Sequence, residues 1–389
     1  MKAREYHLAE TVPLQRWIGG IALAALLLCS AGLVADPVQF HHSWLTALFF
    51  VISIALGALI FTMIFHLTGA TWSVPVRRLL ENLAAPMPLL FVLFLPVLFG
   101  VHSLYHWSHA EAVAGDPLLQ LKAPYLNHSF FAVRAFLYFA VWILLALRLR
   151  RQSLLQDDGH DHTAGMRRTS AAGVILFALT LTFASFDWFM SLDAHWYSTI
   201  FGLYIFSGCA VAGLAAVILL ARHLQSRGHL RETIGMQQYH DLGKLLFAFT
   251  VFWAYMAVSQ YFLIWYGNIP EETIWYHHRW HGSWKIVSLI LVFGHFLIPF
   301  MLLLTRWAKR NLAVLAGFSL WLLFMHWLDL QWLVMPSLHK EGFTLSWMDG
   351  AALVGCGGLY LWYLGRLLRA SALAPVGDAR LAETIEMNQ

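Results

Sequence analysis

The chain has 389 residues, of which 59% are hydrophobic and only 12% charged, and its mean hydropathy is +0.63. Soluble globular chains carry about a quarter charged residues, so this composition excludes a soluble domain and identifies an integral membrane protein. The formal charge of +4 does not point to nucleic acid, because the basic residues fall in short clusters between apolar runs and report membrane orientation instead.

Crossing the hydrocarbon core takes about 20 apolar residues as a helix. Ten stretches qualify: 17–35, 44–67, 84–107, 129–149, 170–192, 197–221, 242–266, 283–305, 312–334 and 347–368. The expected fold is therefore an all-α polytopic membrane protein of ten transmembrane helices. The first run follows Lys2 and Arg4 with no small-residue cleavage site after it, and reads as a retained helix. Arg16, Arg77, Arg78, the arginines of 148–168 and 222–231, Arg306, Lys309, Arg310, Arg366 and Arg369 fall on one side, against Lys122, Arg279 and Lys340 on the other. That asymmetry predicts that both termini are cytoplasmic. Residues 1–369 read as one transmembrane domain, and 370–389, with Pro375 and Gly377, as an extended or disordered cytoplasmic tail.

A weak internal repeat organises the spans. HSFFAVR (128–134) and HGSWK (281–285) open the fourth and eighth helices and place Arg134 and Lys285 just inside the membrane, while the fifth and ninth carry Asp187 and Asp329. Helices 2–5 then match helices 6–9 as two parallel four-helix bundles, with the first and tenth peripheral. Pro86, Pro88, Pro96 and Pro299 are expected to bend the third and eighth helices.

Charge in mid-membrane costs on the order of 3 kcal/mol, so each such residue is a candidate site. Arg134 with Asp187, and Lys285 with Asp329, read either as a carboxylate whose proton a cation controls or as an ion pair locking two helices. In 185–202, Asp193 and His195 fall in a solvated turn. Tyr255, Ser259 and Gln260 put hydrogen-bonding groups into the seventh helix, suited to a headgroup, a water file or a cross-helix contact. Beyond them an aromatic belt gives way to Glu271, Glu272 and Arg279 in water. Of twenty histidines only His295 and His326 are central, too few for stacked haem pairs, and His326 with Asp329 reads as one hydrogen-bonded polar site. Cys29, Cys209 and Cys356 stand singly, which excludes iron–sulfur and c-type haem spacing, and no metal site is expected.

Four motifs in order, HLTGATWSVPVRR (66–78), SFDWFMSLDAHWYSTIFG (185–202), WAYMAVSQYFLIWYGNIPEET (253–273) and PVGDARL (375–381), resemble the ActF family, the second NrfD-like membrane subunit of bacterial alternative complex III, a quinol:electron-acceptor oxidoreductase. The resemblance covers essentially the whole chain. It implies a multi-pass protein of the bacterial inner membrane that carries no cofactor of its own, with quinol as the substrate of the complex and haems and iron–sulfur clusters on its partners. Those partners are a sister NrfD-like subunit, a periplasmic iron–sulfur protein, multi-haem and mono-haem cytochromes c, small membrane subunits and, in some members, a terminal oxidase. In the family the better-supported quinol pocket lies in the sister subunit. The candidate residues above come from depth and chemistry rather than from the resemblance.

Overall fold

The computed structural model describes residues 6–8 and 12–386, which contain helices and no strand. Ten helices are long and apolar enough to cross a membrane: α1 Gln15–Ala35, α2 Pro37–Thr68, α3 Thr71–Phe99, α4 His128–Asp157, α5 Thr163–Asp193, α6 Phe201–Ser226, α7 Met236–Gly267, α8 Trp284–Leu303, α9 Leu312–Ser337 and α10 Trp347–Ala370. The chain is a multi-pass membrane protein. The third span starts well before the expected residue 84, because Val74–Ala84 is a buried helical segment whose polar side chains hid it from a hydropathy reading.

Packing follows two closed circuits. Helix α2 packs on α3, α3 on α4, α4 on α5 and α5 back on α2; α6 packs on α7, α7 on α8, α8 on α9 and α9 back on α6. Helices α2 and α6 join the circuits, and α1 pairs with α10, which lies against α2. The joint is close. A Cβ on Gly57 would stand 1.9 Å from the Cys209 carbonyl oxygen, and one on Gly213 would stand 2.5 Å from the carbonyl carbon of Gly57. Only glycine lets two membrane helices meet backbone to backbone in this way.

Proline shapes two spans. Helix α3 breaks between Ala84 and Met87, with Pro86 at the break and Pro88 in the first turn of the second segment, where a missing N–H costs nothing. In α8 a π-helical stretch, Leu291–Leu297, directly precedes the turn that holds Pro299. Its widened ladder leaves the Gly294 carbonyl free to accept from Trp321 Nε1 at 2.7 Å.

The tail is described as far as Glu386, and that part packs against the spans. Leu373 and Leu381 are buried, and the Leu373 amide donates to the Tyr6 carbonyl at 2.8 Å. Helix α11, Arg380–Glu386, packs on the first segment of α3. What seats the tail is a pair of buried guanidiniums. Arg77 donates to Asp378 at 2.7 Å; Arg78 donates to Asp157 at 2.9 Å and to the carbonyls of Ser153 and Ala372. The fully buried Glu81 carboxylate sits 3.3 and 3.1 Å from the two arginines. Arg77 and Arg78, counted in sequence among the orientation signals, are 2% and 0% exposed. Buried charges need partners, and the tail supplies them.

Burial raises the Asp378 carboxyl, but hydrogen bonding to Arg380 and the charge of Arg77 outweigh it and hold the group well below the usual carboxylate range. A depressed native pKa contributes stability that is present above the unfolded value of about 3.9 and lost as pH falls towards the folded one. Asp378→Asn should therefore lower the unfolding free energy at pH 7 by about 3 kcal/mol. Thermal unfolding of the purified chain across pH should show the gap between wild type and variant shrinking below about pH 5.

Candidate functional site

The two buried acids sit in different surroundings. In the first circuit Arg134 grips Asp187 with two parallel bonds, Nε to Oδ2 at 2.8 Å and Nη2 to Oδ1 at 2.9 Å, and Tyr138, one turn along α4, donates to Oδ2 at 2.7 Å. The remaining guanidinium nitrogen donates to the Tyr125 carbonyl at 2.8 Å, and the Tyr125 and Phe130 rings cover the cation at 3.8 and 4.3 Å. Asp187 is 0% exposed. Its charge is balanced in place.

In the second circuit Asp329, 2% exposed, accepts from the Tyr204 hydroxyl and, at 3.1 Å, from Trp253 Nε1. Among the described residues no cation pairs with it. Lys285, its expected partner, is exposed and lies 5.4 Å from the Trp280 ring, because Trp284 takes the buried position of that first turn of α8 and leaves the next residue facing out. His295 stacks on the other face of the site, its ring 3.9 Å from that of Trp253, fully buried, with neither ring nitrogen hydrogen-bonded to protein. His326 and Asp329 do not form the expected joint site. His326 Nε2 bonds Ser53 Oγ of α2 at 2.8 Å, its Nδ1 has no protein partner, and Gly208 makes room for the ring. Three residues along a helix place the two side chains near one another but leave them free to diverge.

The remaining candidates scatter. Tyr255 is 63% exposed and Ser259 half-buried on the outward face of α7; only Gln260 points inward, accepting from Ser198 Oγ at 3.0 Å and donating to the Tyr276 hydroxyl at 3.1 Å. Asp193 is half-buried, and the exposed His195 bonds Asp116 at 2.5 Å. Burial raises the Asp116 carboxyl, but the bond to His195 and the amides of Leu118 and Leu119 hold it below its ordinary value. Arg279 is not in water. It is 5% exposed, lies 3.3 Å from the Trp275 ring centre, and donates to the carbonyls of Trp275, Trp332 and Leu333. Burial pulls this guanidinium down, and the Asp193 charge offsets part of the effect.

Two polar groups were missed in sequence. One is the Arg77, Arg78, Glu81 cluster. The other is a chain at the opposite end, in which His339 Nε2 meets Gln39 Oε1 at 2.7 Å, Gln39 donates to Ser43 at 2.9 Å, and Ser43 donates to the buried Asp349 at 2.6 Å. Its signal was the capping box Ser346-Trp-Met-Asp349 opening α10. No group of three or more His, Cys, Asp or Glu side chains among the described residues is placed to hold a metal ion. No protein-family model matches the sequence, and a comparison with curated proteins finds no match.

Arg134→Leu strands a buried carboxylate and is expected to cost about 3–5 kcal/mol, whereas Arg134→Leu combined with Asp187→Leu should recover most of that loss. Denaturation of the single and double variants in detergent checks both values.

Proposed function

We propose that this chain is a membrane subunit of a respiratory quinol:electron-acceptor oxidoreductase of the alternative complex III type, and that it carries a proton site at the periplasmic half of its second helical circuit. Support for the complex comes from the four motifs. Support for the proton site comes from one observation: Asp329 is a buried acid held by a phenol and an indole with no cation beside it, next to a buried imidazole, His295, that has no protein partner. An imidazole N–H buried without an acceptor costs about 1–3 kcal/mol, so a polar network of this kind favours water or a proton carrier at His295. Electrons travel on partner subunits in this reading, and the chain accepts or passes the protons that quinol oxidation releases.

The alternative, a purely structural scaffold with the quinol site only in the sister subunit, is favoured for the first circuit by the fully paired Asp187. The two circuits then divide the work, with Asp187 and Arg134 bracing the fold and Asp329 carrying the proton.

The test uses the assembled complex in proteoliposomes, with quinol:cytochrome c turnover and proton release both recorded. Asp329→Asn should lower both on the order of 100-fold, the scale of a lost acid–base group. Asp187→Asn should lower the yield of complex while leaving turnover per complex near wild type. Normal turnover and proton release in Asp329→Asn would leave only the scaffold.

A further inference from the structure

The chain between Glu272 and Asp329 contains no acidic residue, and its turn from α8 into α9 carries Arg306, Lys309 and Arg310. Because successive spans alternate in direction, this turn lies at the end of the molecule that also holds Arg77, Arg78 and the tail. Its cations part company. Lys309 turns inward and is 8% exposed: Nζ donates to the carbonyls of Leu303 at 2.7 Å and Leu304 at 3.1 Å, capping α8. Its stem lies against Gly243 of α7, where a Cβ would stand 3.1 Å from the lysine Cγ. The inward lysine thereby seats the short helix Arg306–Arg310 on α7. Arg306 and Arg310 point the other way. Both are exposed, and among the described residues neither makes a hydrogen bond or an ion pair. The one acid of α7, Asp241, is already engaged by Lys244 at 2.5 Å and by Gln237 at 3.2 Å.

The two free guanidiniums line a cleft of about 440 Å3 together with Trp307 and Asn311. Four residues apart, they share one helical face, with about 6 Å between their Cβ atoms. Asn311 adds another donor. Its Oδ1 caps α9 by accepting from the Ala313 and Val314 amides at 3.1 and 3.2 Å, so its amide nitrogen is left to donate elsewhere. Trp307 is 65% exposed, and the last turn of α8, which leads into the short helix, exposes Met301 and Leu304 at 64% and 56%.

We infer that this cleft binds the head of an anionic phospholipid, whose phosphodiester oxygens accept from Arg306, Arg310 and Asn311 while an acyl chain lies beside Leu304 and Met301. A guanidinium matches a phosphate in charge and in the spacing of donors to acceptors. A head ending in choline or ethanolamine would set a cation among the arginines, so the site selects heads that lack one. Free phosphate shares the anionic chemistry but offers nothing to the exposed Trp307, a ring of the kind that settles at headgroup depth, or to the apolar turn before it. The inference stands apart from the function proposed above and uses neither Asp329 nor quinol oxidation.

The experiment titrates the purified full chain, in neutral detergent, with phosphatidylglycerol, with phosphatidylcholine of the same acyl chains, and with inorganic phosphate, and reads bound molecules by native mass spectrometry. Phosphatidylglycerol is expected to bind at least about tenfold more tightly than phosphatidylcholine. Arg306→Gln combined with Arg310→Gln should remove that preference; neither side chain bonds to protein, so the lipid-free melting temperature should stay at the wild-type value. Arg167→Gln combined with Arg168→Gln, a pair of exposed arginines in α5 at the same end, should leave the preference intact. Equal binding of the two lipids to the wild type overturns the proposal. So does an equal loss in both double variants, which marks diffuse attraction rather than a site, and so does displacement of phosphatidylglycerol by millimolar inorganic phosphate, which makes the occupant a soluble anion.

Discussion

The contact between Gly57 and Gly213 is the constraint about which the molecule is arranged. Lipid tails are as apolar as leucine, so membrane helices gain little by hiding side chains from them and adhere through close packing and hydrogen bonds. With no side chain between them, α2 and α6 come near enough for neighbouring residues to reach across. Ser53, one turn before Gly57, receives His326 of α9, and Gly208, beside Cys209, vacates the space that the imidazole fills. The most apolar part of α2 is 89% buried as a result, although the helix is hydrophobic on all sides and could have faced lipid.

On either side of that seam the chain solves the same difficulty twice. A carboxyl buried within a span requires donors, because nothing in hydrocarbon supplies them. For Asp187 the donors include a guanidinium, which brings charge as well as hydrogen bonds. For Asp329 they are a hydroxyl and an indole N–H, which bring none. Among the described residues Asp329 thus has hydrogen bonds without a counter-charge, where Asp187 has both.

Much of this was legible beforehand. Ten spans follow from length and hydropathy alone, and the pairing of Arg134 with Asp187 follows from two opposite charges at like depth in adjacent helices. The repeat that suggested a second such pair misled, because Lys285 sits in the first turn of α8, where a rotation of the helix turns its side chain outward. Tyr255 misled for a related reason: α7 is apolar around most of its circumference, so periodicity could not separate its lipid-facing side from its inner one. Arg279 looked like a residue for water, and the pair Arg77 and Arg78 like orientation signals alone. Their burial depends on carbonyls and carboxylates from distant parts of the chain, a long-range fact that no local pattern carries. The tail is the plainest case, since its Pro, Gly and charges are what a disordered segment would show.

The position of Asp378 has a bearing on how the protein is made. It lies 301 residues beyond Arg77, so at translation rates of about 5–20 residues per second the arginine has Glu81 at once but waits about 15–60 s for its second carboxylate. During that interval seven more spans are synthesised, and Arg78 has Asp157 but not the Ala372 carbonyl. That end of α3 therefore lacks its tail contacts while the later spans are made, a window in which quality-control proteases would meet a nascent chain different from the finished one.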